Sequence, residues 1–269
     1  MNDGSQTWHY GLVARHWAEN NTAGPEIPLF QSLIEQHGQP ALDAGCGTGR
    51  LLIPFLRAGL DVDGCDVSPD MLALCREKAE CEGLRPTLYQ QPLHSLDLPR
   101  TYQTIVVCGA LGLGVTRQQD FEALQRIHSH LKPGGVMLID HYLPYGDARE
   151  WQLWPRAMRG QLPEPWPDGA GTRPPANGAD YALYSRIVAF DPLEQRLTRE
   201  MRGVLWRDGQ LVAQEEYTLW ENLYFYQEFR QMLERAGFVI EAVYGGHTKV
   251  SASADDDVMV FVARKPATE

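Results

Sequence analysis

Leu42-Asp43-Ala44-Gly45-Cys46-Gly47-Thr48-Gly49 is the stretch of sequence that decides the fold. A mostly apolar helical pattern follows it from Arg50 to Ala58, where Gly59 ends the pattern. Glycines let the backbone turn sharply and let a ligand approach the peptide plane, and the next helix offers unpaired N–H groups at its N-terminus. The stretch predicts a strand, a glycine turn and a helix that hold a nucleotide-like ligand, with a turn of no chemical function as the alternative.

The alternation of strand and helix patterns continues as far as Asp140. Ser68 and Thr116 each have the pattern of a residue that caps the N-terminus of a helix. The five predicted strands are Ala41–Ala44, Asp61–Asp66, Thr87–Gln90, Thr104–Cys108 and Val136–Asp140. Strands that alternate with helices are typical of a doubly wound α/β fold with a mostly parallel, Rossmann-like sheet.

The second half of the chain predicts an insertion in this sheet. Residues 144–178 are rich in proline and tryptophan, which indicates an elaborated loop or lid. Three alternating runs follow at Tyr181–Phe190, Leu197–Arg207 and Leu211–Trp220, and they predict an antiparallel sheet. The turn dipeptide Asp208-Gly209 joins the last two runs. A helix at about Tyr226–Ala236 and strands at Val239–Tyr244 and Val258–Ala263 then complete a seven-stranded main sheet.

The predicted organisation has three parts. Residues 1–40 form an N-terminal helical cap, and residues 41–143 together with 221–269 form the ligand-binding domain. Residues 144–220 form the insert, which binds a substrate or serves as a dimer interface.

Asp66 ends the second predicted strand, about 20 residues beyond the glycines, where an acidic side chain can accept hydrogen bonds from both hydroxyls of a ribose. Val67 and Met71 follow it, and their apolar side chains can pack on an adenine face, although core packing explains Met71 nearly as well. The glycine turn and Asp66 together predict a nucleotide-like ligand.

The chain resembles the class I S-adenosylmethionine-dependent methyltransferases. The resemblance rests on the glycine stretch, on Cys-Asp-Val-Ser-Pro-Asp-Met-Leu at residues 65–72 and on Leu-Lys-Pro-Gly-Gly at residues 131–135. Dinucleotide dehydrogenases have a third glycine where Arg50 stands here. The resemblance implies an enzyme that transfers a methyl group from S-adenosylmethionine to nitrogen or oxygen of a small molecule. Sugar-amine N-methyltransferases resemble this layout.

The resemblance also implies the roles of individual residues. Asp43 contacts the amino group of the cofactor's methionine, the Gly45–Gly49 turn passes beneath the methionine, and Asp66 holds the ribose. Tyr10 either touches the cofactor or belongs to a segment that simply docks a helix. The full set of implied cofactor-binding residues is Tyr10, Asp43, Gly45, Cys46, Gly47, Gly49, Asp66, Val67, Met71, Gln91, Leu93, Cys108 and Gly109.

The residues after the third strand depart from the family's pattern. Family members often place an acidic residue there to hold the adenine amino group, and this chain has Pro92. The adenine is therefore held by Gln91, by backbone groups of Leu93, or less firmly. A protein that binds the cofactor for regulation or as a scaffold, without catalysis, is the alternative that Pro92 leaves open.

Methyl transfer needs a nucleophile aligned behind an electrophilic carbon, and positioning with exclusion of water supplies much of the acceleration. His141 follows the fifth strand at the edge where such sites lie, so it is predicted as a general base, with Tyr142 beside it. A histidine with only a structural hydrogen bond is the alternative. The aromatic segment 144–178 and the inserted strands are predicted to bind the acceptor or to form a homodimer.

Charge and composition exclude other classes of function. The net charge of −11 opposes binding to phosphate backbones, so nucleic acid is not an expected partner. The eight histidines are dispersed and no Cys-x-x-Cys occurs, so no metal site is predicted. Neither a signal peptide nor a membrane span of ~20 apolar residues is recognisable. An odd number of cysteines, five, fits reduced thiols, and a cytoplasmic enzyme is predicted.

Overall fold

The structure is a computed structural model that describes residues 9–172 and 180–267. The first eight residues of the predicted cap, residues 173–179 of the predicted insert and the last two residues lie outside the described residues.

Strands and helices lie close to where the sequence predicts them. The strands are β1 Ala41–Ala44, β2 Val62–Asp66, β3 Leu88–Gln90, β4 Tyr102–Val107, β5 Leu131–Tyr142, β6 Tyr181–Asp191, β7 Arg196–Arg207, β8 Gln210–Asn222, β9 Val239–Gly245 and β10 Val258–Arg264. The helices are α1 Gly11–Asn20, α2 Glu26–His37, α3 Leu52–Arg57, α4 Pro69–Cys81, α5 Arg117–His130, α6 Ala148–Trp151, α7 Arg156–Arg159 and α8 Tyr226–Arg235. A 3₁₀ turn covers Leu93–Ser95.

The main sheet has seven strands in the order β3-β2-β1-β4-β5-β10-β9, which confirms the predicted fold class. Strands β1 to β5 are parallel, and β10 runs antiparallel to both of its neighbours. The chain order reverses between β1 and β4. At such a reversal the connections leave in opposite directions, and a crevice opens beyond the carboxyl ends of the two strands.

Helices cover both faces of the sheet. Helices α5 and α8 pack on one face, where Leu124, Ile127 and Phe229 are fully or almost fully buried. Helices α2, α3 and α4 pack on the other face around Phe30 and Phe55. Both predicted caps are present, because the Ser68 and Thr116 side chains accept backbone N–H groups in the first turns of α4 and α5. A cap of this kind contributes about 1 kcal/mol to helix stability.

The insert is a separate antiparallel sheet, β6-β7-β8. Asp208 and Gly209 both have positive φ, 50° and 73°, as a two-residue hairpin turn of type I′ requires. The proline-rich segment after β5 packs on this sheet, because the guanidinium carbons of Arg186 and Arg202 lie 4.6 and 3.9 Å from the ring centre of Trp166. The insert therefore has its own tertiary contacts.

One boundary differs from the prediction. The fifth strand is predicted to begin at Val136, yet β5 begins at Leu131. Leu131 pairs with Tyr102 across an irregularity in the ladder, and the backbone of Lys265 bonds to Gly134 and Gly135. Pairing with strands from other parts of the chain extends β5 through the glycines. Among the residues that the structure describes, no helix is long and apolar enough to cross a membrane.

Candidate active site

A cavity of about 850 Å³ lies at the carboxyl ends of β1, β2 and β4. All the residues implied to bind the cofactor line it, with the exception of Gly49. The cavity also receives residues that sequence reasoning missed, among them Trp17, Glu26, Arg50, Leu113, Val115 and Asp120. A sequence signal that could have indicated the loop after β4 is the run of closely spaced glycines in Gly109-Ala110-Leu111-Gly112-Leu113-Gly114.

The glycine turn is built by close approach. Gly45 has φ +87°, and a Cβ placed on it would lie 2.4 Å from the Cβ of Ala110 in the loop after β4. Gly49 has φ +85°, and a Cβ there would lie 2.7 Å from Cys75 Sγ on α4. Gly45 therefore brings two walls of the cavity together, whereas Gly49 lets α4 pack behind the turn and does not face the cavity.

The Asp66 carboxylate is oriented by the backbone around it. Its Oδ2 accepts the Gly47 N–H at 2.9 Å, and its Oδ1 accepts the Ser68 N–H at 2.8 Å. Burial raises the pKa of Asp66, and bonds from backbone N–H groups, first that of Ser68, oppose this rise. An ionised carboxylate has about four acceptor positions, so these bonds leave it able to accept from a hydroxyl of a ligand.

Asp43 is the most distinctive polar group of the cavity. Its side chain is buried, and among the described residues Oδ2 has no hydrogen-bond partner. Burial, and secondarily the charge of Asp66, raise the pKa of Asp43 to about 7. A buried carboxylate oxygen without a donor is costly to the folded protein. A ligand with an ammonium group would supply the missing donor.

A further network closes the cavity beside Cys108. Asp140, at the end of β5, accepts the Gly109 N–H at 2.7 Å and the Cys108 thiol at 3.1 Å. The Arg50 guanidinium lies 3.6 Å from Cys108 Sγ and forms an ion pair with Glu26. Burial, and then the charge of Asp140, raise the pKa of the Cys108 thiol. The thiol is therefore neutral, and Arg50 is the cation that lines this part of the cavity.

Comparison with known proteins agrees with this geometry. The methyltransferase domain family matches residues 41–135, which hold the glycine turn, Asp66 and the loop after β4. Residues 41–135 are therefore a methyltransferase domain, and the chain as a whole has the fold of S-adenosylmethionine-dependent methyltransferases. A protein of Geobacillus sp. (strain WCH70), provisionally named a methyltransferase, is 25% identical over 88% of this chain and 90% of its own.

Two solved structures have the fold of this methyltransferase. An S-adenosylmethionine-dependent methyltransferase from Clostridium acetobutylicum ATCC 824 superposes with a TM-score of 0.70 at 15% identity, over 94% of this chain and 98% of its own. The sugar N-methyltransferase KedS8 from Streptoalloteichus sp ATCC 53650 gives a TM-score of 0.63 at 18% identity, over 98% and 99% of the two chains. At these identities the likeness establishes the fold.

The part of the methyltransferase cavity after β3 is built without an acidic residue. Both ends of the Gln91 amide bond to the backbone of Asp97, at 2.8 and 3.0 Å. Gln91 is therefore engaged in holding the loop after β3. The backbone at Leu93, which begins the 3₁₀ turn and lines the cavity, is the remaining predicted candidate for the adenine edge.

The loop after β4 forms another wall of the cavity, and the inserted sheet fixes this loop. Gly114 N–H donates to the Trp220 carbonyl, and Asn222 N–H donates to the Gly112 carbonyl, both at 2.8 Å. Asp120 accepts the Gly112 N–H at 2.9 Å, the Asn222 amide at 2.8 Å and the Tyr224 hydroxyl at 2.6 Å. The end of β8 thus forms a short ladder with the cavity wall.

His141 lies on the side of the sheet away from the cavity, which corrects its predicted position. Its ring stacks on Phe229 at 4.0 Å, and its Nε2 lies 2.7 Å from the Tyr224 carbonyl. Burial lowers the pKa of His141 to about 4. Successive residues of a strand face opposite sides of a sheet, so the neighbouring Tyr142 is the one that lines the cavity. The structure gives His141 no geometric support as a base.

The predicted lid does not line the cavity either. Of the described residues in 144–172 and 180–220, none is among those that form its walls. The segment is instead fastened to the inserted sheet through Trp166, as described above. Within the described ranges no cluster of three or more His, Cys, Asp or Glu side chains has the arrangement of a metal site. The five cysteines are free thiols.

Acidic pH is expected to weaken cofactor binding through Asp43. Only the ionised form of a carboxylate can pair with an ammonium group such as that of S-adenosylhomocysteine, and the pKa of Asp43 in the ligand-free protein is about 7. Affinity should thus fall as pH decreases below 7, approaching about tenfold per pH unit. Calorimetric titration with S-adenosylhomocysteine from about pH 5.5 to 7.5 measures this change in affinity. The α-amino group of the ligand stays largely protonated over this pH range.

The control is Asp43→Asn, which removes the titrating group. Its affinity should be low at every pH and nearly independent of pH over this range. An Asp43→Asn protein that keeps the wild-type pH dependence would show that another group is responsible.

Proposed function

We propose that this methyltransferase transfers a methyl group from S-adenosylmethionine to a nitrogen or oxygen of a small-molecule acceptor. The observation that carries the proposal is the continuity of one cavity. Its lining joins the carboxylates of Asp43 and Asp66 with the apolar side chains of Leu113 and Val115 and with Tyr142. One end suits a charged nucleoside-like donor, and the other suits an organic acceptor.

The charges along the cavity support a specific assignment of the cofactor. Asp66 would accept the ribose hydroxyls, and Asp43 would accept the ammonium of the methionine. Arg50, the cation beside Cys108, would face the carboxylate of that amino acid. The Gly45–Gly49 turn and Gly109 would lie against the backbone of the methionine, where side chains would obstruct it.

The acceptor end has one exposed aromatic wall. Tyr142 lines the cavity and is 59% exposed. Exposed aromatic side chains of this kind mark a binding surface for an organic molecule. The fold shared with a sugar N-methyltransferase supports a small acceptor that carries an amine.

Nitrogen fits this end better than oxygen. Burial, and then the charge of Asp140, raise the pKa of Tyr142 to about 12, so the side chain is a phenol at neutral pH. Asp120 already accepts three hydrogen bonds from the surrounding protein. An uncharged amine is a nucleophile without help, whereas a hydroxyl needs a base to accept its proton.

Catalysis then depends chiefly on position. When bound, S-adenosylmethionine supplies an electrophilic methyl group on a sulfonium. The protein orients the donor through its carboxylates and holds the acceptor against Leu113, Val115 and Tyr142. Alignment and exclusion of water can lower the barrier by several kcal/mol without proton transfer by the enzyme.

The test is calorimetry with S-adenosylmethionine and S-adenosylhomocysteine, followed by a screen with donor labelled in the methyl group. Amino sugars, other amines, phenols and thiols form the acceptor panel. Micromolar binding with label transfer to an amine supports the proposal. Absence of binding would overturn it, and binding without transfer to any class would favour a cofactor-binding scaffold.

Replacing Tyr142 by alanine is expected to raise the KM for the acceptor about 5- to 20-fold, equal to about 1–2 kcal/mol of lost apolar contact. Tyr142→Phe should retain most of this contact. The affinity for S-adenosylhomocysteine should remain within about twofold in both variants. Steady-state kinetics with the acceptor found in the screen measures the effect.

Tyr145→Ala is the matched control, because Tyr145 is an exposed aromatic residue that does not line the cavity. An equal rise in KM in the Tyr142 and Tyr145 variants would place the acceptor on the outer surface instead. Two further predictions from the sequence stay predictions: a homodimer through the inserted strands, which sedimentation analysis tests, and a cytoplasmic location.

A further inference from the structure

The first turn of α1 is held by two carboxylates from distant parts of the chain. Gly11 N–H donates to Asp70 Oδ2 at 2.7 Å, and Leu12 N–H donates to Glu215 Oε2 at 2.7 Å. The residue before the helix, Tyr10, provides no side-chain cap. Unpaired N–H groups and the helix dipole make this end of α1 attractive to anions, so the two acids replace the usual local cap.

The two acids belong to different structural units. Asp70 lies in the first turn of α4, four residues beyond Asp66, whereas Glu215 lies on β8 of the inserted sheet. The Tyr217 hydroxyl donates to Glu215 Oε2 at 2.9 Å and orients it. The main domain and the insert therefore meet at one helix N-terminus.

Helix α1 lies closely against the inserted sheet. A Cβ on Gly203 of β7 would lie 2.9 Å from the Cβ of Leu12, so the helix rests directly on the strand. The Ser68 hydroxyl also donates to the carbonyl of His9, just before the helix. These contacts hold the segment from both sides.

The same segment forms a wall of the cavity. His9 and Tyr10 precede α1, Trp17 lies on it and Asn21 follows it, and all four line the cavity. Helix α1 covers neither face of the main sheet and packs instead against α4 and the inserted strands. The position of this wall is thus set by the bonds at its first turn and by its packing on the insert.

We propose that Glu215 is a positioning residue for cofactor binding. Acting with Asp70, it fixes α1 as a wall of the cavity, and through it the inserted sheet controls how long S-adenosylmethionine and S-adenosylhomocysteine remain bound. The inference rests on the proposed cofactor site. It gives the insert a role in donor binding, although none of its described strand residues from 180 to 220 lines the cavity.

The test compares Glu215→Gln and Glu215→Ala with the wild-type protein, using S-adenosylhomocysteine as the probe. The glutamine keeps the size of the side chain but loses the charge, and the alanine loses both bonds. We expect the dissociation rate, measured by stopped-flow fluorescence, to rise about tenfold for Glu215→Ala and less for Glu215→Gln. The melting temperature of the ligand-free protein should change by only about 2–4 °C.

Glu216→Gln is the matched control. Glu216 is the next residue of β8, and its carboxylate pairs with Arg202 and not with α1. S-adenosylhomocysteine should dissociate from the Glu216→Gln protein at the same rate as from the wild-type protein. In a double-mutant cycle, Asp70→Asn and Glu215→Gln should be non-additive, because both residues hold the same turn.

The outcomes separate this inference from the proposed function. If the wild-type protein does not bind S-adenosylhomocysteine, the proposed function fails. If it binds and the Glu215 variants release the ligand at the wild-type rate, the positioning role is wrong and Glu215 only stabilises the fold.

Tyr217→Phe serves if the Glu215 variants do not fold, because it removes only the hydroxyl that orients Glu215. It should accelerate dissociation of the probe in the same direction by a smaller factor. It should also increase hydrogen exchange of the α1 amides while leaving those of β1 unchanged. Unaltered dissociation and unaltered exchange in this variant would equally overturn the proposal.

Discussion

Asp66→Ala is expected to weaken the binding of S-adenosylhomocysteine by about 1.5–3 kcal/mol, which corresponds to about 10- to 150-fold in Kd. The substitution removes the charged acceptor proposed for the ribose hydroxyls. It also releases the N–H groups of Gly47 and Ser68, which both bond to this carboxylate. Calorimetry on the folded variant measures the loss.

Asp63 provides the matched control on the same strand. It faces the opposite side of the sheet, where it is buried and accepts the Tyr102 hydroxyl at 2.9 Å. Asp63→Asn should lower the free energy of unfolding and leave the affinity for S-adenosylhomocysteine unchanged. Asp66→Ala with wild-type affinity would mean that the ribose is held elsewhere.

Gly45→Ala is expected to be the most damaging single substitution in the glycine turn. The left-handed backbone costs a residue with a Cβ about 1–2 kcal/mol, and overlap with Ala110 costs roughly 1–3 kcal/mol more. The free energy of unfolding should fall by roughly 2–5 kcal/mol in total, measured by urea denaturation. Affinity for S-adenosylhomocysteine should fall more than about tenfold, because Ala110 must move relative to the turn.

Gly59→Ala separates the two costs. Gly59 has a similar φ of +78°, and a Cβ there would meet nothing within 4 Å. The free energy of unfolding of the Gly59→Ala protein should fall only by the cost of the left-handed backbone, about 1–2 kcal/mol. Its affinity for S-adenosylhomocysteine should be unchanged. Equal destabilisation by Gly45→Ala and Gly59→Ala would show that the loop carrying Ala110 moves away from the new Cβ without loss of stability.

The main sheet could be predicted because its signals are local. Buried parallel strands form short apolar runs, and each is bounded by a glycine, a proline or a helix cap that only nearby residues determine. Asp66 was predictable for the same reason, since its position at the end of β2 follows from the strand that contains it. Both the sheet and the part of the cavity around Asp66 therefore follow from short motifs.

The cavity wall formed by the loop after β4 could not be predicted, because it depends on contacts between distant residues. Asp120 meets Asn222 and Tyr224 across about a hundred positions of the chain, and no periodicity in the sequence indicates that pairing. His141 shows a second limit. The sequence places it just after the fifth strand, whereas it lies within β5. A shift of one residue along a strand exchanges the two faces of the sheet, and the sequence did not determine which face His141 occupies.

The ladder between β8 and the cavity wall has a consequence for protein engineering. Because Trp220 and Asn222 bond to Gly112, Gly114 and Asp120, the insert and the loop after β4 form one inseparable unit. A chimera that exchanged only the insert with that of another methyltransferase would disrupt these hydrogen bonds between the insert and the loop. Recombination of acceptor specificity in such enzymes would need both segments to be transplanted together.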